Sequence, residues 1–286
     1  MVKKNIPCFN LAQICQSGQC FRMYEDCNSR FSVIAGQRRL WVEQTKSECT
    51  FYCSQDEFET FWSEYFDLQG NYEEYLGKIN PRDTYLVNAA ELGKGIRILK
   101  QDLWEMIVSF LISQQNNIIR IRRCIENICQ AYGEKRVVAK DNMDREKACL
   151  AEDSTTDHYY GFPTPESLAV LDEDALMTCN LGYRSKYVVR AARAVASGQV
   201  DLEAIKKMPY KKAREELLAF YGVGEKVADC ICLFALHHLQ AFPVDTHINQ
   251  AMERHYKRGF PNRRYHGIQG VMQQYIFYYE IVSQKA

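Results

Sequence analysis

The chain has 286 residues, 36 Lys+Arg against 36 Asp+Glu, and so a formal net charge of zero. Apolar residues make up 47% and charged residues 25%, the balance of an ordinary globular protein with room for two domains, which excludes disorder, collagen and coiled coil. No apolar run reaches the roughly 18 residues of a transmembrane helix, the polar start has no secretory pattern, and neutrality argues on its face against a nucleic-acid partner.

The first hundred residues are mixed, with strands leading. FRMY (21–24), RFSVIAG (30–36), RRLWVEQ (38–44) and CTFYCS (49–54) are short, aromatic or β-branched, and separated by turn-prone residues, which predicts an antiparallel sheet of hairpins. SQDEFETFWSEYF (54–66) reads as a helix with an acidic first turn. From about 101 the period becomes helical: DLWEMIVSFLISQQNNIIRIRRCIENICQAYG (102–133) is apolar at three- and four-residue spacing, interrupted at Ser113–Asn117. Residues 134–161 are polar and read as a surface excursion. Short helices follow over 165–173 and 172–180, then one over 185–198. The reading is α+β: an antiparallel β-rich N-terminal domain over 1–100 and a mainly α-helical body over 101–286.

Charge is unevenly spread. Residues 1–100 carry 12 basic and 13 acidic side chains, 101–181 carry 8 and 14, and 182–286 carry 16 and 9, so neutrality conceals a basic C-terminal third. Twelve cysteines include no CxxC pair, and none follows Cys232. Reduced, mostly buried thiols in a protein kept inside the cell are expected, in the cytoplasm or on the nucleoid if the source is bacterial.

Chemistry concentrates in residues 211–247. KKAREELLAF and EKVADCICLFAL read as helices joined by a hairpin (near 211–236 as a whole) in which Gly222 and Gly224 allow backbone N–H groups to face outward, a ready phosphate site. Lys226 falls in the first turn of the second helix, where the dipole disfavours a cation and favours the neutral, nucleophilic amine; a surface lysine is the plainer alternative. Asp245 stands where an N-cap would, before THINQAMERHY. It would also suit a carboxylate facing positive charge on a reacting sugar.

GVGEKVADCICLFAL followed by FPVDTH resembles the helix-hairpin-helix DNA glycosylases, and within them the 8-oxoguanine DNA glycosylases. SGQCFR (17–22), FLISQQNNIIRI (110–121), GFP (161–163), LGYRSKYV (181–188) and QGVMQQYIF (269–277) extend the match over most of the chain. The resemblance implies excision of 8-oxoguanine from duplex DNA, preferably opposite cytosine, by a monomer that needs no membrane. Lys226 is implied as the Schiff-base nucleophile and Asp245 as its partner, giving both base excision and abasic-site cleavage.

The base pocket implied is Gly18, whose carbonyl would read the lesion's N7 proton, with Phe277 and Cys230 against the two base faces and Gln273 on its Watson–Crick edge. Arg120 and Arg184 would hold the estranged cytosine, Tyr183 would wedge into the duplex, and Gln115, with Asn116 and Asn117 following, takes the place of a space-filling asparagine. Gly222, Gly224 and His247 would bind flanking phosphates. No cofactor is implied and, with no cysteine after Cys232, no iron–sulfur cluster. A structural monovalent or divalent cation would sit on the main-chain carbonyls of Leu218, Phe220 and Val223. The family's proline before the hairpin glycines is Tyr221 here.

Overall fold

The computed structural model describes residues 1–26, 30–137 and 158–283. Five antiparallel strands, β1 (Val2–Asn5), β2 (Met23–Glu25), β3 (Arg30–Ala35), β4 (Arg38–Thr45) and β5 (Glu48–Phe51), form a sheet in the order β1-β5-β4-β3-β2. The hairpin sheet expected from 21–54 is therefore present, with β1 as an additional edge. At the β3–β4 turn Ala35 pairs with Arg38, leaving Gly36 and Gln37 as the two loop residues. Gly36 has φ +56, the left-handed conformation such a tight hairpin asks for.

Inward residues of this sheet pack on helix α1 (Leu11–Gln16), which Asn10 caps, and on the 55–65 helix. The latter begins at Ser54, whose hydroxyl accepts the Glu57 N–H, and runs as α2 (Gln55–Glu57), a π-helical turn (Phe58–Trp62) and α3 (Ser63–Tyr65). Phe31, Val33, Leu40, Val42, Phe51, Phe58, Trp62 and Phe66 belong to one buried cluster.

The helices α4 (Tyr72–Gly77) and α5 (Thr84–Gly93), capped by Asn71 and Asp83, join a second and larger core. Tyr72, Leu86, Ala89 and Ala90 face the helical body, while Leu99 belongs to the first core and Phe21 to the second, so the two cores interleave along the N-terminal hundred residues. That body continues with α6 (Leu103–Ser113), buried from Leu103 to Ile112, and α7 (Ile118–Tyr132). Between them the chain breaks where the sequence predicted, Gln115 adopting φ +47 and Asn117 capping α7. The expected excursion closes at its base as a ladder of β6 (Lys135–Val137) with β7 (His158–Tyr160); the segment between lies outside the described residues.

Then follow α8 (Pro165–Ala169), a 3-10 turn over Ala175–Cys179 in place of a helix over 172–180, a 3-10 turn over Gly182–Arg184, and α9 (Ser185–Ala196). The last five helices are α10 (Leu202–Lys206), α11 (Tyr210–Leu218), α12 (Glu225–Phe234), α13 (Thr246–His255) and α14 (Gln269–Ser283). No helix of the described residues is long and apolar enough to cross a membrane. All ten described cysteines are free thiols, and nine of them are buried.

Candidate active site

The helix α12 starts at Gly224 with no side-chain cap, so its first N–H groups are left for an outside partner. Space is open where a Gly224 side chain would lie. Gly222, at φ +91, has the Tyr187 ring 2.7 Å from where a Cβ would stand; only glycine lets the hairpin settle on that ring. The Gly222 carbonyl accepts from Gln114 Nε2 at 2.9 Å, which ties the hairpin to the α6–α7 break.

Lys226, on the first turn of α12, is half-buried, and its Nζ stands 5.6 Å from the centre of the Phe110 ring. Asp245 caps α13, accepting the Ile248 N–H at 2.8 Å with an extended backbone at φ −105. Both line one cavity of about 60 Å³ with Gly18, Cys230, Gln273 and Phe277, so six residues assigned by resemblance from four separate stretches of chain converge here. Ser17, Phe110, Phe234, Pro243 and Gln274 complete the lining. All five lie within motifs the sequence had already marked, but were not singled out. Apolar spacing alone assigns Phe110 and Phe234 to core.

Burial sets the electrostatics of the cavity. It pushes the Cys230 thiol up to about 11 against the opposing pull of Lys226, so a neutral thiol lies beside the amine. Gln273 is buried, with Nε2 donating to the Pro243 carbonyl at 3.0 Å, and Gln274 Nε2 donates to Gln273 Oε1 at 3.2 Å. This leaves the Gln273 amide held by the segment that carries Asp245.

Gly18 has φ +75, and a Cβ there would lie 3.0 Å from Phe277 Cε1. The aromatic edge thus rests on the glycine, and the 60 Å³ that remain fall far below the roughly 300 Å³ at which small-molecule pockets begin. Outside the cavity a groove of about 650 Å³ runs past Gly18, Asn116, Lys226, Asp245, His247 and Phe277, with Ile119, 83% exposed, at its rim. His247 presents its ring edge-on to Phe277 at 6.0 Å. Ile119 was not singled out in the sequence.

The residues assigned to the opposite base gather around the α6–α7 break. Arg120 is exposed on the first turn of α7, and Tyr183, 42% exposed, donates from its hydroxyl to Gln115 Oε1 at 3.3 Å. Arg184, expected to be offered to a base, is buried. Its Nε donates to the Gln114 carbonyl at 2.8 Å, Nη2 to that of Gln115 at 2.9 Å and Nη1 to that of Leu181 at 3.3 Å. Its plane also lies 4.5 Å from the centre of the Tyr183 ring. In this conformation its guanidinium holds the α6–α7 break.

At the hairpin the Phe220 carbonyl, one of the three expected to hold a cation, accepts the Val223 N–H at 3.0 Å and closes a turn. Among the described residues no three His, Cys, Asp or Glu side chains cluster as metal ligands.

Residues 1–107 match the family model of the 8-oxoguanine DNA glycosylase N-terminal domain. Residues 108–264 match that of the HhH-GPD superfamily base excision DNA repair proteins. An N-glycosylase/DNA lyase of Saccharomyces cerevisiae is 29% identical over 273 residues, which is 86% of this chain and 68% of that protein. A probable N-glycosylase/DNA lyase of Methanothermobacter thermautotrophicus is 29% identical over 219 residues, 69% of this chain and 64% of that one. The chain therefore spans about two thirds of the length of these relatives.

Among solved structures, the Clostridium acetobutylicum 8-oxoguanine glycosylase/lyase bound to DNA with cytosine opposite 8-oxoguanine superposes with a TM-score of 0.87. Identity to it is 34%, over 98% of this chain and 94% of that one. A 3-methyladenine DNA glycosylase from Archaeoglobus fulgidus, 17% identical with a TM-score of 0.71 over 98% and 99% of the two chains, shares the fold.

Proposed function

The chain belongs to the HhH-GPD superfamily of base excision DNA repair proteins, and from that membership we propose that it removes 8-oxoguanine from duplex DNA, preferably opposite cytosine, and then cleaves the abasic strand. The observation that carries this reading is the single cavity shared by Lys226, Asp245, Gly18, Cys230, Gln273 and Phe277. A base inside a duplex is out of reach, so the nucleotide is extruded through the groove and Phe277 swings from Gly18 to stack on it. The Gly18 carbonyl accepts the N7–H that distinguishes 8-oxoguanine from guanine.

The neutral Lys226 amine attacks C1′; the glycosidic bond breaks, its electron pair leaves with the base, and the base takes up a proton. The attached nitrogen loses its proton as the sugar ring opens, giving a Schiff base. Asp245 stabilises the positive charge that develops at the sugar. Loss of a C2′ proton then expels the 3′ phosphate and nicks the strand. The nucleophile comes from the chain itself, so the proposed reaction uses no cofactor, and a cation on the hairpin carbonyls would be structural. Cytosine preference is assigned to Arg120 and Arg184, because guanidinium donors suit the cytosine acceptors.

Borohydride trapping on an 8-oxoguanine:cytosine duplex tests the reading. Wild type yields a covalent adduct and Lys226→Gln yields none. No adduct from wild type overturns the lyase assignment, and an adduct surviving in the variant moves the nucleophile elsewhere.

A further inference from the structure

Between Arg254 and Tyr279 the chain carries five Lys/Arg residues, two histidines and no acidic residue. Arg254 is engaged with Glu280 at 2.5 Å. The other four, Lys257, Arg258, Arg263 and Arg264, are all exposed and make no ion pair with any described residue. Elsewhere in the basic third Arg190 pairs with Glu173, Lys206 with Glu203 and Arg214 with Asp229, while Lys207, Lys211 and Lys212 form a smaller exposed group without an ion pair among the described residues.

The loop that carries these four charges is firmly seated. Tyr256 and Phe260 rings lie 5.3 Å apart, Phe260 and Tyr265 5.5 Å, and Phe260 packs 4.8 Å from Phe242. Tyr265 is fully buried, and its hydroxyl accepts the Asn80 N–H at 3.2 Å. The Tyr256 hydroxyl donates to Asp83 at 3.0 Å, and Arg82 of the same turn adds a further exposed cation.

Aromatic anchors thus face the protein, and unmatched like charges face water, where they repel one another unless a polyanion meets them. The anchor point is informative. Phe242 lies three residues before Asp245, and α13 leads from the Asp245 cap to the loop, ten residues or about 15 Å of helix.

We propose that the 257–264 loop is a second phosphate-binding surface that grips the duplex backbone beyond the lesion, about 15 Å from the reacting sugar, or roughly four to five nucleotides along one strand. The inference rests on the proposed reading that duplex DNA is the substrate.

The test measures affinity for an 8-oxoguanine:cytosine duplex over a salt series, for wild type, Lys257→Gln/Arg258→Gln, Arg263→Gln/Arg264→Gln and the quadruple variant. Two duplexes are used, one of about 25 base pairs and one truncated about three base pairs from the lesion on each side, short of the span set by the helix length. On the long duplex the slope of log K against log salt becomes shallower by about 0.9 for each lost contact, roughly three to four in all for the quadruple variant.

On the short duplex the slopes of wild type and variants coincide, and excision at low salt is unchanged. Equal slopes on the long duplex overturn the proposal. An equal loss on both duplexes overturns the remote placement. Failure of wild type to excise from the long duplex defeats the functional reading instead, so the two failures are separable. Circular dichroism melts of the two double variants control for folding, since all four side chains are exposed.

Discussion

Asp245 has two roles that substitution can separate. Its carboxylate accepts the Ile248 N–H at 2.8 Å and so caps α13, and the same side chain lines the cavity beside Lys226. Asparagine caps about as well as aspartate, so Asp245→Asn keeps the hydrogen bond and loses only the charge at the helix start, about 0.3–1 kcal/mol. Asp245→Ala loses both, adding about 1 kcal/mol for the cap. For the chemistry, a fixed group opposite developing charge is worth about 3–4 kcal/mol, or a factor on the order of 100–1000 in rate, and both variants lose it.

Stability and activity should therefore part company. Urea unfolding places Asn close to wild type and Ala clearly below it, while single-turnover excision falls by a similar large factor in both. Excision by Asp245→Asn within a few-fold of wild type would show that the carboxylate is a cap and nothing more. An Asn variant as unstable as Ala would show that the cap does not depend on this side chain.

Gly18→Ala forces a residue with a side chain into φ +75, at about 1–2 kcal/mol, and drives its methyl into Phe277. Unfolding free energy should fall by that amount, and 8-oxoguanine excision should fall more than cleavage at a preformed abasic site, which has no base to read. Parallel losses on the two substrates would refute the pocket assignment. Glu105 is fully buried, accepts the Gly36 N–H at 2.9 Å, and is raised by burial from 4.5 to about 7. Between those values the folded protein holds a proton that the unfolded chain releases, so stability falls as pH rises from about 4.5 to 7 and is level above, a span of roughly 3 kcal/mol. Glu105→Gln removes this slope in urea unfolding at pH 5 and 7.5. A slope that survives would assign it to another group.

The elements the sequence disclosed are those with strong local signatures. Short aromatic and β-branched runs between turn-prone residues marked β3 and β4, and the polar run at Ser113–Asn117 marked the break between α6 and α7. β1, with one buried residue among VKKN, has no pattern of its own and exists through its register with β5. Helices α4 and α5 were passed over although Asn71 and Asp83 announce them, because short segments with little apolar periodicity are stabilised by the core they join. In the site, residue types and order were enough to gather Lys226, Asp245, Gly18 and Phe277 by resemblance. The resting position of Phe277 on Gly18 and the internal bonding of Arg184 depend on tertiary geometry, which no local pattern encodes.

The bonds of Arg184 have a consequence for searching. Its donors reach the carbonyls of Gln114, Gln115 and Leu181, so a base that recruits them must displace amide oxygens rather than water. On the proposed reading, the enzyme carries an internal standard against which each partner base is compared. Cytosine offers two adjacent acceptors and can match it; thymine, which presents a donor at N3, cannot. Such an arginine does not adhere to every base it passes, and selectivity becomes an exchange between like partners, set by the protein and only weakly dependent on solvent.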